Sequence, residues 1–256
     1  MVCKRNEKQF ISESDLYSNY IRREPHERSQ RFISNWHKKL LKHALSDIED
    51  PVKNVLEIGP GHGYFATHVV DMGRDYEFID TSPSVHTKMK EQGFDGHLGT
   101  VGDFVVSPKK FDLIWLSHVL EHSPTWVDAR QLVSDVAGLL SPTGRIVIIG
   151  PDAQCWGRQF WNIDATHGFP TTMRNVAQLA DDVGLSVVKA RHDRNANFGV
   201  VSKAMFVVLS VLPHRMIDRI LTPERSKIGD GLLISWKAVF GWRQIFIVLS
   251  GTNLNK

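Results

Sequence analysis

Cysteine and long apolar runs are both scarce in this sequence of 256 residues. Cys3 and Cys155 are the only cysteines, and neither has a C-x-x-C partner, so we expect no disulfide framework. No apolar run reaches the roughly 18–20 residues that cross a bilayer, since the nearest candidate, 204–212, ends at Pro213. The first residues lack the apolar core of a signal peptide. These absences favour a soluble, cytoplasmic chain.

The charge is unevenly distributed, although the formal net charge is only +3. Residues 51–188 contain 10 basic and 16 acidic side chains, whereas residues 189–256 contain 11 basic and 4 acidic ones. The basic C-terminal part would favour an anionic partner such as a nucleotide-sugar, a phospholipid surface or RNA. A solvated basic face explains the same excess equally well.

The order of the predicted elements indicates an α/β fold. An amphipathic stripe that includes Phe32, Trp36 and Leu40 predicts N-terminal helices, which end before Pro51. Beyond it, short apolar strands alternate with single helices, which predicts a Rossmann-like, doubly wound, mostly parallel seven-stranded sheet with helices on both faces. We expect its strands at 52–58, 76–79, 97–101, 111–116, 145–149, 185–190 and 244–249.

This pattern predicts an N-terminal helical extension (1–50) and one α/β domain (51–256) with a helical insertion at about 192–242. The insertion contains the apolar run before Pro213, which is followed by Arg215 and Arg219. A homodimer interface, core packing and a peripheral membrane contact are all open interpretations of that run.

A distinctive glycine turn follows the first predicted strand, in V-L-E-I-G-P-G-H-G. Gly59, Gly61 and Gly63 allow positive φ and close approach of a ligand to the backbone. The spacing differs from the dinucleotide fingerprint, and the preceding Glu57 would repel a phosphate but attract an ammonium group. Asp80 ends the second strand, where an acid either accepts hydrogen bonds from ribose hydroxyls or caps the next helix.

Five blocks in this order resemble class I S-adenosylmethionine-dependent methyltransferases. They are V-L-E-I-G-P-G-H-G, E-F-I-D, G-T-V-G-D, F-D-L-I-W-L-S-H-V-L-E-H and L-L-S-P-T-G-R-I-V-I. The resemblance covers about 52–190 and departs mildly at L-S-P-T-G, where the family more often has L-x-P-G-G. It implies that S-adenosylmethionine is the cofactor and that its methyl group is transferred directly to an acceptor.

The resemblance also implies a role for each residue of the cofactor site. The three glycines would line the methionine part, and Glu57 would receive its amino group. The remaining predicted cofactor-binding residues are Asp80 for the ribose, Thr81 beside the adenine, Asp103 for the adenine amino group, Phe104 as a stacking neighbour, and Ser117 and His118 closing over the cofactor.

Histidine is the usual base near neutral pH, and methylation of a hydroxyl requires one. His122 follows a central strand at the edge where ligands bind in α/β sheets, so we rank it first as base and His167 second. His62 is a neighbour of the glycine turn. A hydrogen-bonded structural histidine is the alternative interpretation at each position.

The stretch W-N-I-D-A-T-H-G-F-P-T-T resembles a pattern found in methyltransferases of bacterial polysaccharide and lipopolysaccharide clusters. The resemblance implies O-methylation of a sugar or glycan precursor, with Asp164 and His167 gripping a hydroxyl and Trp161 offering a flat apolar face. Otherwise the stretch is a loop packed under a helix that Thr171 or Thr172 caps.

Two alternative functions are open. H-V-L-E-H resembles the E-V-x-E-H element that holds a divalent metal in ubiquinone-type O-methyltransferases and small-RNA ribose methyltransferases, and would place His118, Glu121 and His122 on one helical face. Because His118 replaces the first acid, we expect no metal. The first alternative is a metal-assisted methyltransferase of RNA or a quinone-like molecule, although no RNA-binding domain is recognisable. The second is a non-catalytic cofactor-binding scaffold.

Overall fold

A computed structural model describes residues 27–46, 48, 51–105, 109–194, 204, 208, 214–221 and 243–251. The strands in these ranges are β1 (Asn54–Ile58), β2 (Asp75–Asp80), β3 (Asp95–Leu98), β4 (Phe111–Ser117), β5 (Leu140–Pro151), β6 (Leu185–Arg194) and β7 (Arg243–Gly251). The α-helices are α1 (Glu27–Leu45), α2 (Tyr64–Asp71), α3 (Pro83–Glu91), α4 (Val101–Phe104), α5 (Trp126–Gly138), α6 (Ala153–Trp156), α7 (Gln159–Ile163), α8 (Met173–Asp182) and α9 (His214–Leu221). A 3₁₀ helix spans Leu120–His122.

The seven strands form one sheet in the order β3-β2-β1-β4-β5-β7-β6. Strands β1 to β5 are parallel, and β7 runs antiparallel between β5 and β6. The central strands are nearly continuous apolar runs because both faces of the sheet are covered. The predicted Rossmann-like, mostly parallel seven-stranded sheet is confirmed.

Each face of the sheet has its own apolar core. On one face, Phe65 of α2 and Phe78 of β2 pack with Trp115 of β4. On the other, Phe111 and Ile148 pack against Val133 of α5 and Leu179 of α8. Because β1, β2 and β4 run parallel, their carboxyl ends meet at one edge of the sheet. This is the edge where α/β sheets bind ligands.

Helix α1 confirms the predicted N-terminal helix over its described length. Its buried side chains, which include Trp36, Leu40 and Leu41, belong to the same apolar core as α2 and Trp115. Lys39 on its polar side lies 3.6 Å from Asp193 of β6. The helix is therefore packed on the sheet, while the proposed domain boundary at residue 50 stays a prediction.

Three local predictions need correction. The third strand is Asp95–Leu98 rather than 97–101, because Thr100 and Asp103 form a capping box that begins α4. The H-V-L-E-H stretch is not one α-helical face, since only Leu120–His122 is helical and forms a single 3₁₀ turn. The insertion begins later than about 192, because β6 continues to Arg194.

Other predictions fall largely outside the described residues, namely the helical spacing before residue 27 and most of the insertion. Within the insertion, Ala204 and Val208 are helical and α9 spans His214–Leu221. Among the described helices, none combines the length and the apolar character needed to cross a membrane.

Candidate functional site

The glycine turn joins β1 to α2 in a conformation that few other residues adopt. Gly59, Gly61 and Gly63 have φ of 67°, 56° and 79°, all in the left-handed region that favours glycine. The Gly59 amide donates to the carbonyl of Ile79 in β2 at 2.9 Å. A Cβ on Gly59 would lie 2.8 Å from Cγ2 of Val119, so the turn has no room for a side chain there.

Glu57 is the buried acid beside this turn. It is 2% exposed, and one of its oxygens accepts a 2.6 Å hydrogen bond from the Tyr76 hydroxyl. Burial raises the pKa of Glu57 to about 8, although the Tyr76 hydrogen bond favours the carboxylate. Glu57 is therefore mostly protonated near neutral pH until a cationic group approaches it.

A cavity of about 270 Å³ opens beside the turn, and we call it the turn cavity. Five of the predicted cofactor-binding residues line it, namely Glu57, Gly59, Gly61, Ser117 and His118. Its lining is Phe32, Ile33, Trp36, His37, Glu57, Gly59, Pro60, Gly61, His62, Tyr64, Phe65, Ser117 and His118. The fit to an amino-acid ligand is good, because a buried carboxyl and a turn with three glycines meet in one pocket.

Helix α1 supplies a wall of the turn cavity that the sequence analysis did not predict. Phe32, Ile33, Trp36 and His37 all face it. Burial, together with nearby His118 and His68, lowers the pKa of His37 to about 3, so this imidazole is uncharged. For Phe32, Ile33 and Trp36 the amphipathic stripe was the only signal, and it predicted a helix rather than the wall of a pocket, while no pattern in the sequence indicated His37.

Ser117 ends β4 and His118 follows it, and both line the turn cavity, while their contact with a cofactor stays a prediction. His118 has φ of 58°, an uncommon conformation for a residue with a side chain. Its amide donates to the carbonyl of Ile149 in β5 at 2.9 Å. Its Nδ1 lies 3.0 Å from Oε1 of Glu121, so it links the turn cavity to the residues that follow.

The predicted ribose and adenine residues lie at the neighbouring strand ends, outside the lining of the turn cavity. Asp80 accepts a 2.7 Å hydrogen bond from the Ser82 amide, and burial raises its pKa to about 6. Ser82 rather than Asp80 caps α3. Asp103 is exposed and caps α4 with Thr100, while Thr81 is exposed and Phe104 is half-buried. Their contacts with a cofactor stay predictions.

Glu121, His122 and His167 form a second group, which we call the histidine cluster. The His122 and His167 rings are 5.0 Å apart, although 45 residues separate them in the chain. Nδ1 of His122 lies 2.7 Å from Oγ1 of Thr166, and that hydroxyl donates to Asp164 at 2.6 Å. Burial lowers the pKa of His122, and nearby Glu121 only partly opposes it. The structure thus joins both predicted bases and the predicted substrate residue Asp164.

The loop around α7 fixes the other histidine. Nδ1 of His167 lies 2.5 Å from the carbonyl oxygen of Phe160, and His167 is 9% exposed. Trp161, which follows Phe160 in the chain and contacts its ring, is 52% exposed. Thr166 and Phe160 were not predictable from the sequence, because their roles depend on a hydroxyl and a backbone carbonyl rather than on a recognisable motif.

Solved structures with the same fold are similar to most of the chain. One is a complex between the Haloferax volcanii Trm112 methyltransferase activator and a methyltransferase, with a TM-score of 0.61, 13% identity, and coverage of 93% of this chain and 97% of that one. Another is magnesium protoporphyrin IX methyltransferase from Synechocystis with bound S-adenosylmethionine, with a TM-score of 0.55, 11% identity and coverage of 94% and 93%. At these identities the likeness shows the fold.

The family of the chain is identified from its sequence rather than from its fold. No curated protein matches it closely enough to count as a relative. A family model described as a methyltransferase domain matches residues 26–190, well over half of the chain. S-adenosylmethionine is the cofactor, in agreement with the glycine turn and Glu57. The chain belongs to this methyltransferase-domain family and is a class I S-adenosylmethionine-dependent methyltransferase.

Proposed function

We propose that this methyltransferase methylates a hydroxyl group of a sugar or glycan precursor and that His122 accepts the hydroxyl proton. The observation that carries the proposal is the chain of hydrogen bonds from Asp164 through Thr166 to His122. Because the Thr166 hydroxyl donates its hydrogen to Asp164, Nδ1 of His122 must donate to Thr166. The lone pair of the neutral imidazole is then on Nε2, which is the nitrogen that accepts a proton.

The proposed reaction uses residues of both the turn cavity and the histidine cluster. When bound, S-adenosylmethionine supplies an electrophilic methyl group on its sulfonium, and the C–S electron pair remains on sulfur. Glu57 receives the ammonium group, and the apolar side chains of α1 exclude water from the turn cavity. His122 takes the acceptor proton at Nε2 as the acceptor oxygen forms the new C–O bond.

A sugar acceptor is supported by the surface around the histidine cluster. Trp161 offers an exposed aromatic face of the kind on which an apolar sugar face can pack, and Asp164 lies nearby with a carboxylate. The D-A-T-H segment also resembles the pattern of polysaccharide-cluster methyltransferases. His167, 5.0 Å from His122 between ring centres, is the second candidate base.

The test is a transfer assay with a labelled methyl donor and four acceptor classes: nucleotide-sugars, lipid-linked glycans, RNA and quinone-like phenols. We expect label in a sugar fraction, and we expect His122→Gln to lower that transfer without weakening donor binding. His86→Gln on α3, where the ring contacts the Gly96 carbonyl, is the matched control. Label in RNA or in phenols alone contradicts the sugar proposal. Donor binding without transfer to any class would instead support a scaffold.

A further inference from the structure

We propose that Glu121, His122 and His167 bind a divalent first-row transition metal ion such as Zn²⁺. One ligand atom from each of the three residues lies within 4.8 Å of the other two. Two imidazole nitrogens and one carboxylate oxygen are a set that Zn²⁺ and its neighbours bind, whereas Mg²⁺ and Ca²⁺ prefer oxygen ligands alone.

The buried state of Glu121 is an independent observation that points to a cation. The residue is 0% exposed, and its Oε2 has no hydrogen-bond partner among the residues that the structure describes. A buried carboxylate oxygen without a partner costs free energy that a bound cation would offset. The other oxygen contacts Nδ1 of His118 at 3.0 Å, which orients the carboxylate.

Both histidines have the tautomer that metal binding requires. A carbonyl oxygen can only accept, so Nδ1 of His167 carries the hydrogen that it donates to Phe160. Nδ1 of His122 donates to Thr166 for the reason given above. Each ring therefore has its lone pair on Nε2, with the opposite nitrogen held by a hydrogen bond, as is usual for metal-binding histidines.

The ligand set of this site differs from the one that the H-V-L-E-H stretch suggested. No metal was expected at His118, Glu121 and His122 because His118 replaces the first acid, and in the structure His118 has φ of 58° and does not continue a helix. His167, which lies in a loop 45 residues after His122, is the third ligand of the proposed site in place of His118. Gly150 packs closely against the Glu121 carboxylate. A Cβ on Gly150 would lie only 3.3 Å from Glu121 Oε2.

This inference goes beyond the proposed function and relies on it only for the role of the ion: His122 accepts the proton in the ion-free protein, and the ion takes over that role where it is bound. Three protein ligands leave a coordination position for the acceptor oxygen, and a bound cation lowers the pKa of a hydroxyl. Because a coordinated Nε2 cannot accept a proton, the ion would replace His122 in promoting deprotonation, and the proton would pass to solvent.

The experiment is a Co²⁺ titration of the metal-free, tag-free protein. We expect one Co²⁺ per chain, with visible absorption bands typical of four or five ligands. We also expect two exchangeable, hyperfine-shifted proton signals in the NMR spectrum, one from each retained Nδ1–H. This measurement needs no variant, so it stands even where a substitution prevents folding. Absence of Co²⁺ binding, or binding without those two signals, overturns the proposal.

Variants then locate the ion. Glu121→Gln and His167→Gln should each weaken Co²⁺ binding about tenfold or more, whereas Glu91→Gln, an exposed acid on α3, should leave it unchanged. Zn²⁺ should displace Co²⁺ and millimolar Mg²⁺ should not. Unchanged binding in both cluster variants contradicts the assignment. Failure of Co²⁺ to bind leaves sugar methylation standing, and failure of sugar methylation leaves the Co²⁺ result standing.

Discussion

The turn cavity and the histidine cluster are assembled from very different stretches of chain. Glu57 and the three glycines of the turn cavity lie within seven consecutive residues. The histidine cluster joins the end of β4 to a loop beyond β5, and its His122–Thr166 hydrogen bond spans 44 residues. The turn cavity is thus mainly a local structure, whereas the histidine cluster exists only after the sheet and α7 have packed.

The turn cavity and the histidine cluster also differ in what compensates their buried carboxyl group. In the turn cavity, burial makes Glu57 hold a proton near neutral pH. In the cluster, Glu121 is equally buried but is surrounded by His118, His122 and His167. We infer that one carboxyl awaits a cationic ligand and that the other is compensated by imidazoles or by a metal ion. Substitutions in the two places should therefore have separable effects.

The largest expected effect is on methyl transfer in the histidine cluster. His122→Gln should lower turnover about 10²–10⁴-fold, the range for loss of a general base. The affinity for S-adenosylmethionine, measured by calorimetry, should change less than about twofold, because His122 does not line the turn cavity. A variant that retains full turnover would show that His122 neither accepts the proton nor holds the ion.

Gly59→Ala tests the turn cavity. The methyl group would meet Val119 Cγ2 at 2.8 Å, and φ of 67° is strained for alanine, by about 1–2 kcal/mol. We expect donor affinity to fall about 10–100-fold as the turn shifts. Gly73→Ala is the matched control, because its φ is 71° and a Cβ there would meet nothing within 4 Å.

Gly73→Ala should lower the free energy of unfolding by about 1 kcal/mol through strain alone and leave donor affinity unchanged. Equal donor affinities of the Gly59 and Gly73 variants would mean that space at Gly59 is irrelevant to binding. Thermal unfolding of both variants separates strain in the fold from loss of the ligand.

The same difference between local and distant structure explains what the sequence could predict. Glu57 and the glycine turn were recognisable because strand, turn and helix are consecutive, and the Rossmann-like sheet followed from alternating elements. The wall that α1 contributes to the turn cavity was not predicted, because a helix that lines a pocket has the same apolar stripe as a helix that packs on a core. Thr166 was missed because its partner depends on how two distant loops meet. His118 lines the turn cavity, but its positive φ was not predictable from its residue type.

Glu57→Gln should have opposite effects on stability and on binding. The folded pKa of about 8 exceeds the ordinary 4.5, so between these pH values the folded state keeps a proton that the unfolded chain has released. The free energy of unfolding therefore falls as pH rises through this window, and only the wild-type carboxyl contributes this fall. The variant should become more stable relative to wild type from pH 5 to pH 8, as chemical denaturation would measure.

The same Glu57→Gln change should weaken donor binding about tenfold at pH 8, the order of one charge-assisted hydrogen bond. Wild-type affinity should rise with pH towards 8 as Glu57 ionises, and the variant should lack this contribution. Calorimetry at several pH values checks both expectations. If the two proteins share one affinity profile, Glu57 does not receive the ammonium group.

The smallest expected effect concerns the acceptor surface. Trp161→Ala removes an aromatic face that is 52% exposed, whereas Ile163→Ala on the same helix removes an aliphatic side chain that is 54% exposed. If a sugar packs on the indole, the first change should raise the acceptor KM about threefold to tenfold, since partly exposed aromatic contacts contribute about 0.5–1.5 kcal/mol, and the second should not. Donor affinity should be constant in both. Equal acceptor KM values in the two variants would show that Trp161 does not bind the acceptor and that other residues recognise it.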